Sequence, residues 1–152
     1  MRLTEPECLR RLKAARVALL SVNDAGSSPL AVPITFAVLD WAGRIEAGFA
    51  VDHKPKTSRR LRRLDLIARD DHVSLLVHDY AEDWRRLWWV RGDGTAAVVA
   101  ADDDRRRAAL LNALAAKYPQ YHDVPPSGDV VLVTIDRITG WSGEDLLTGG
   151  TG

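Results

Sequence analysis

The sequence predicts a mainly β, α+β domain in which six antiparallel strands wrap into a closed or nearly closed barrel with flanking helices. Three observations carry this expectation. Apolar runs rich in Val, Ile and Leu recur with connections too short for the crossover of about a dozen residues that parallel strands need. Helical periodicity occurs only at isolated places between the strands, without βαβ alternation. Finally, 152 residues make one domain, and closing its sheet removes most exposed edges.

The chain opens on Thr4-Glu5-Pro6-Glu7, a capping-box pattern with proline early in the first turn, where a missing N–H costs nothing. A helix to about residue 14 follows, with Leu9 and Leu12 inward, Arg10, Arg11 and Lys13 outward, and Cys8 as a small apolar filler. Strands are expected at 16–22, 30–39 and 44–51, separated by turn-rich Asn23-Asp24-Ala25-Gly26-Ser27-Ser28 and Asp40-Trp41-Ala42-Gly43, which makes a three-strand meander. Pro33 puts the middle strand at an edge or a bulge. Over 57–69, Leu61, Leu64 and Ala68 share one face and Arg59, Arg60, Arg62 and Arg63 mostly take the other, the pattern of an amphipathic helix. Strands resume at 73–78 and 86–101, the latter bent or bulged at Gly92-Asp93-Gly94. Asp102, Asp103 and Asp104 open a helix in the way its dipole favours, and Tyr118-Pro119 ends it. Residues 120–129 read as a loop and 130–138 as a last strand. Residues 1–145 thus form a single domain, followed by a frayed tail at 146–152.

Composition excludes several classes of function. Twenty-one Lys plus Arg balance 21 Asp plus Glu, so no global field steers the molecule to nucleic acid or anionic lipid. No apolar run approaches the length of a membrane span. A single cysteine and the lack of an apolar signal segment at the start point to a cytoplasmic protein. His53, His72, His78 and His122 show no paired ligand spacing, so no metal site is expected. Dinucleotide, P-loop, zinc-protease and nucleophile-elbow motifs are all missing.

Three stretches could carry chemistry. Lys54-Pro55-Lys56-Thr57-Ser58 leads from a strand end into a helix start, and six basic residues with no acid lie between His53 and Leu64. A helix N-terminus with its unpaired N–H groups, two lysines just upstream and two hydroxyls make a phosphate or polyanion cradle. The plainer alternative is an N-cap beside a solvated basic face. The second stretch, Trp88-Trp89-Val90-Arg91, places bulk on both faces of a strand: one side suits the core, the other a second subunit or a planar ligand. In the third, Val32-Pro33-Ile34-Thr35, the backbone leaves its ladder at proline and becomes available to a flat heteroaromatic ring, or simply forms a bulge.

Taken in order, Val32-Pro33-Ile34-Thr35, a strand ending at Val51, Lys54-Pro55-Lys56-Thr57, Val73-Ser74-Leu75-Leu76-Val77, Trp88-Trp89-Val90-Arg91, Gly94-Thr95-Ala96 and Ile138-Thr139-Gly140-Trp141 resemble the pyridoxamine 5'-phosphate oxidase-like split barrels. More narrowly they are similar to the actinobacterial branch that uses the deazaflavin coenzyme F420 in place of a flavin. The resemblance runs from about Val17 to Trp141. It implies a flavin-reductase-like split barrel and a homodimer with cofactor sites at the subunit interface. It also implies an oxidoreductase passing a hydride from reduced F420 to a small conjugated acceptor, with FMN as the alternative cofactor or a non-catalytic F420 carrier as the alternative role. Lys54 and Lys56, aided by Thr57 and Ser58, would hold the cofactor phosphate. Val32, Pro33, Ile34 and Thr35 would lie along the ring with Ala50 and Val51 nearby, and Trp88 and Trp141 would wall the pocket. No catalytic acid or base is implied, because the cofactor carries the electronic step.

Overall fold

The computed structural model describes residues 1–51, 58–100 and 102–144. In chain order the elements are α1 (Glu5–Ala14), β1 (Ala18–Val22), β2 (Leu30–Ile34), β3 (Ala37–Trp41), β4 (Arg44–Ala50), α2 (Ser58–Arg69), β5 (His72–Asp79), β6 (Trp88–Val99), α3 (Asp104–Lys117), α4 (Pro119–Asp123) and β7 (Val130–Ser142). All strands join one antiparallel sheet in the order β2-β1-β5-β6-β7-β4-β3. The sheet has seven strands, where six were expected, and it is not closed.

Both corrections come from one place. The single strand expected at 30–39 breaks at Thr35 and Phe36, so that β2 pairs with β1 while β3 pairs with β4 at the opposite margin of the sheet. Only two residues separate these margins, and three Cα steps span at most about 11 Å. The sheet must therefore curl until its free edges meet at this corner, without a ladder between them.

Two apolar clusters hold the curl. Inside it lie Leu12, Leu20, Phe36, Leu75, Val77 and Val90 with Val131 and Val133. Outside, α3 packs Leu110 and Leu114 on Val99, Val130 and Leu132. Because successive strand side chains point to opposite faces, β7 feeds both clusters, and residues 130–133 are all at most 1% exposed. Gly48 makes room for α3: a Cβ there would come within 2.6 to 2.7 Å of the Leu110 and Leu132 methyls. The bulge expected at Gly92-Asp93-Gly94 is present as a register shift between Asp93 and Gly94, and a side chain at Gly94 would fall 1.9 Å from the Thr134 carbonyl oxygen.

Several local expectations are adjusted. In α1 the buried pair is Cys8 and Leu12, spaced i,i+4, with Leu9 half-buried. Thr4 Oγ1 accepts from the Glu7 N–H at 3.4 Å, while the Glu7 carboxylate turns to Arg10 and Arg11 rather than back to the cap. In α2, Leu66 and Ile67 are buried and Ala68 is exposed, because the larger side chains gain more from burial. Pro119 ends α3 but also starts α4, as proline suits a first helical position, so the first part of the expected loop is helical. β7 continues to Ser142 and takes in Trp141. The tail at 146–152 lies outside the described residues. Among the described residues no helix is long and apolar enough to cross a membrane.

Candidate cofactor-binding site

β2 is an edge strand, and alternate residues of an edge point their N–H away from the ladder, so Pro33 sits opposite Leu19 at no cost. Beyond Ile34 the chain leaves the sheet, and the backbone groups of the corner must find partners elsewhere. Side chains from the end of α3 supply them. The Phe36 N–H donates to the Tyr118 hydroxyl oxygen (3.2 Å). That hydroxyl donates to the Arg16 carbonyl (2.7 Å), with the Phe36 carbonyl 3.1 Å away. Lys117 Nζ donates to the carbonyls of Ala15 (2.6 Å) and Phe36 (3.0 Å) and lies 4.1 Å from the centre of the buried Phe36 ring. Burial, reinforced by the nearby Arg16 charge, pushes the Lys117 pKa down to about 8, and burial raises that of Tyr118.

A cavity of about 230 Å³ opens beside this corner. Pro33, Ile34 and Thr35 line it from the end of β2, and Phe49, Ala50 and Val51 from the end of β4. α2 adds Arg63, Leu64 and Ile67, and α4 adds Tyr121. Most of the described lining residues have apolar side chains, while polar groups, main-chain ones included, make up about half of the surface facing the cavity. The polar side chains are the Arg63 guanidinium and two hydroxyls, Thr35 Oγ1 and Tyr121 Oη, which lie 3.1 Å apart. The Tyr121 ring meets Tyr118 edge-on, with centroids 5.8 Å apart.

Five of the sequence-predicted positions thus converge: Pro33, Ile34, Thr35, Ala50 and Val51. Val32 lies on β2 packed against the inner cluster, one residue short of the cavity. Lys54, Lys56 and Thr57 lie outside the described residues, as does the side chain of Ser58, which opens α2. Val51 before them and Arg63 and Leu64 after them line the cavity. Trp88 and Trp141 are elsewhere in the chain's own fold. They sit at the end of the 12-residue β6 that pairs with Ser142, whereas Ala50 pairs with Val130 and Val130 with Val99. At about 3.3 Å per residue the two ends are about 35 Å apart along the strand. Trp88 packs on the inner cluster beneath the Arg11 guanidinium, 5.0 Å from its ring centre.

Sequence reasoning missed Phe49, Arg63, Leu64, Ile67 and Tyr121 as site residues. Leu64 had been placed on the apolar face of α2, and that face, pointed at the sheet corner, was the available signal. Tyr121 fell in a stretch read as loop, with the proline that starts α4 as its only mark. Away from the cavity, Asp70, Asp71 and His72 bring three potential metal donors within 4.8 Å of one another. They occupy the turn before β5, where Asp70 already accepts from Asn23 Nδ2 at 3.0 Å.

The family model for pyridoxamine 5'-phosphate oxidase matches residues 4–142. The chain belongs to the pyridoxamine 5'-phosphate oxidase family. Solved structures with the same fold include a FAD-binding protein from Mesorhizobium loti, 18% identical over 92% of this chain and 95% of that one, with a TM-score of 0.66. A conserved protein from Mycobacterium tuberculosis is 18% identical over 95% of this chain and 88% of its own, with a TM-score of 0.70. The FAD-binding protein from Mycobacterium smegmatis is 17% identical over 93% and 96%, with a TM-score of 0.60. No curated protein matches the chain. Within this pyridoxamine 5'-phosphate oxidase fold, the cavity brings apolar strand-end side chains from two sides together with two hydroxyls.

Proposed function

We propose that the chain is an oxidoreductase that transfers a hydride between coenzyme F420 and a small conjugated acceptor, working as a homodimer. The observation that carries this reading is the convergence of Pro33, Ile34 and Thr35 with Ala50 and Val51 around one cavity, with Val51 three residues before Lys54 in the sequence. The cofactor, when bound, supplies the hydride chemistry. The chain's own residues bind and orient. Pro33 and Ile34 from the end of β2, Ala50 and Val51 from the end of β4, and Leu64 with Ile67 from α2 would hold the ring and exclude water from it. Lys54 and Lys56, with the hydroxyls of Thr57 and Ser58, would hold the phosphate. Fixing the ring against a rigid strand end supplies rate through orientation.

FMN or FAD is the second reading, favoured by the FAD-binding proteins of the same fold. A non-catalytic carrier is the third. Purified protein mixed with F420, FMN or FAD and passed through gel filtration separates these: the retained chromophore identifies the cofactor, and loss of all three removes the proposal. Retention without turnover of any enone, quinone or tetrapyrrole acceptor leaves the carrier. Replacing both lysines, Lys54→Ala with Lys56→Ala, weakens binding of the retained cofactor by about 2–5 kcal/mol, as truncating desolvated charge partners does. An unchanged dissociation constant by titration would remove the lysines from the site.

Two features support the dimer. A cavity of about 230 Å³ falls below the range of roughly 300–1,000 Å³ usual for small-molecule sites, in keeping with a pocket that a second chain would complete. The outer face of β1, β5, β6 and β7 also carries Leu19, Leu76, Trp89 and Trp141 in adjoining register. Trp89 is 37% exposed there, and the Thr139 hydroxyl beside it is buried without a partner. Aromatic side chains of this kind are enriched at subunit interfaces, and a second copy would cover the same face reciprocally.

A further inference from the structure

Resting on that reading of the cavity, we propose that Thr35 and Tyr121 act as one hydroxyl pair that reads the polar edge of the bound ring system, with Tyr118 and Lys117 as positioning residues. The pair is 3.1 Å apart on the cavity wall. Its two members come from sites 86 residues apart in sequence, the corner between β2 and β3 and the short helix α4. Among the described lining residues the other side chains except Arg63 are apolar, so these two oxygens are the side-chain hydroxyls placed to meet the hydrogen-bonding pattern of a ring edge. A hydroxyl both donates and accepts. Paired with each other, Thr35 and Tyr121 retain one further donor proton and spare lone pairs, enough to meet a ring edge that alternates carbonyl and N–H groups.

The geometry is held from behind. The Tyr118 ring backs the Tyr121 ring edge-on, and the Tyr118 hydroxyl and Lys117 ammonium fix both backbone groups of Phe36, the residue after Thr35. Both halves of the pair are therefore anchored to the end of α3, and neither depends on a β-ladder. The pair is exposed in the chain alone; once a bound ring covers it, an unmet partner costs more than a made hydrogen bond contributes, and the pair then gives selectivity beyond affinity.

The test uses the whole chain and whichever of F420, FMN or FAD the wild type retains. Tyr121→Phe keeps the ring and its contact with Tyr118, and Thr35→Val keeps the shape of the side chain. Each should raise the dissociation constant about tenfold and shift the visible absorbance maximum of the bound chromophore, with the thermal midpoint within a degree or two of wild type. The double variant should be little worse than either single one, since the hydroxyls act together, and Thr35→Ser should restore both readouts. A wild type that retains a chromophore, beside a Tyr121→Phe protein with unchanged affinity and spectrum, overturns this inference alone. A wild type that retains none of the three chromophores overturns the reading of the cavity and this inference with it.

Discussion

Residues 130–133 of β7 and the corner formed by Thr35 and Phe36 meet the same demand, satisfying the backbone, in opposite ways. The β7 segment is laddered on both sides, to β4 and β6, and its alternating side chains enter two separate apolar clusters. The corner leaves the sheet and borrows its partners from Lys117 and Tyr118, about 80 residues away. A laddered backbone is secured by main-chain groups that no substitution removes. A borrowed one depends on individual side chains. Binding sites are drawn to the second kind of place, where the backbone is available and locally less stable.

The contrast can be broken or sharpened by substitution. Leu132→Ala, in the doubly covered segment, should cost about 2–5 kcal/mol of stability by chemical denaturation while leaving chromophore affinity of the folded protein unchanged. Tyr118→Phe should cost less, about 1–3 kcal/mol for a buried N–H left without its acceptor, yet weaken chromophore retention where Leu132→Ala does not. If the two variants lose affinity in proportion to stability, the corner has no special role.

A third contrast is a pH dependence. Burial holds the Lys117 pKa near 8, against an ordinary 10.5. Between those values the unfolded chain binds more protons than the folded one, so the contribution of Lys117 to stability rises with pH from about 8 to about 10.5 and is flat below. The difference in denaturation midpoint between wild type and Lys117→Met should therefore climb over that window. A constant difference from pH 7 to 10.5 would show that the ammonium is not desolvated.

Much of this was legible in the sequence, and the misses have physical causes. Turn residues at 23–28 and 40–43 located the hairpins, and glycines at 92 and 94 located the bulge, because each is a local backbone requirement. The split of the long strand was hidden. Thr35 and Phe36 have good strand propensity, and only tertiary partners on α3 make leaving the ladder favourable. The open sheet follows from the same break, so fold and site were misread together at that one point. Pro33, Ile34, Thr35, Ala50 and Val51, expected together from motif order, line one cavity, whereas Tyr121 was not expected there, since its position depends on where α4 lands.

The two-residue link has a further consequence, for what lengths of chain this fold can accept. Extra residues at the exposed tip around Gly26 lengthen a hairpin that already points into solvent, at a loop-closure penalty that grows only logarithmically. The same residues inserted between Ile34 and Ala37 would slacken the covalent clasp that draws the two margins of the sheet together, and the cleft would gape without a single core contact having been touched.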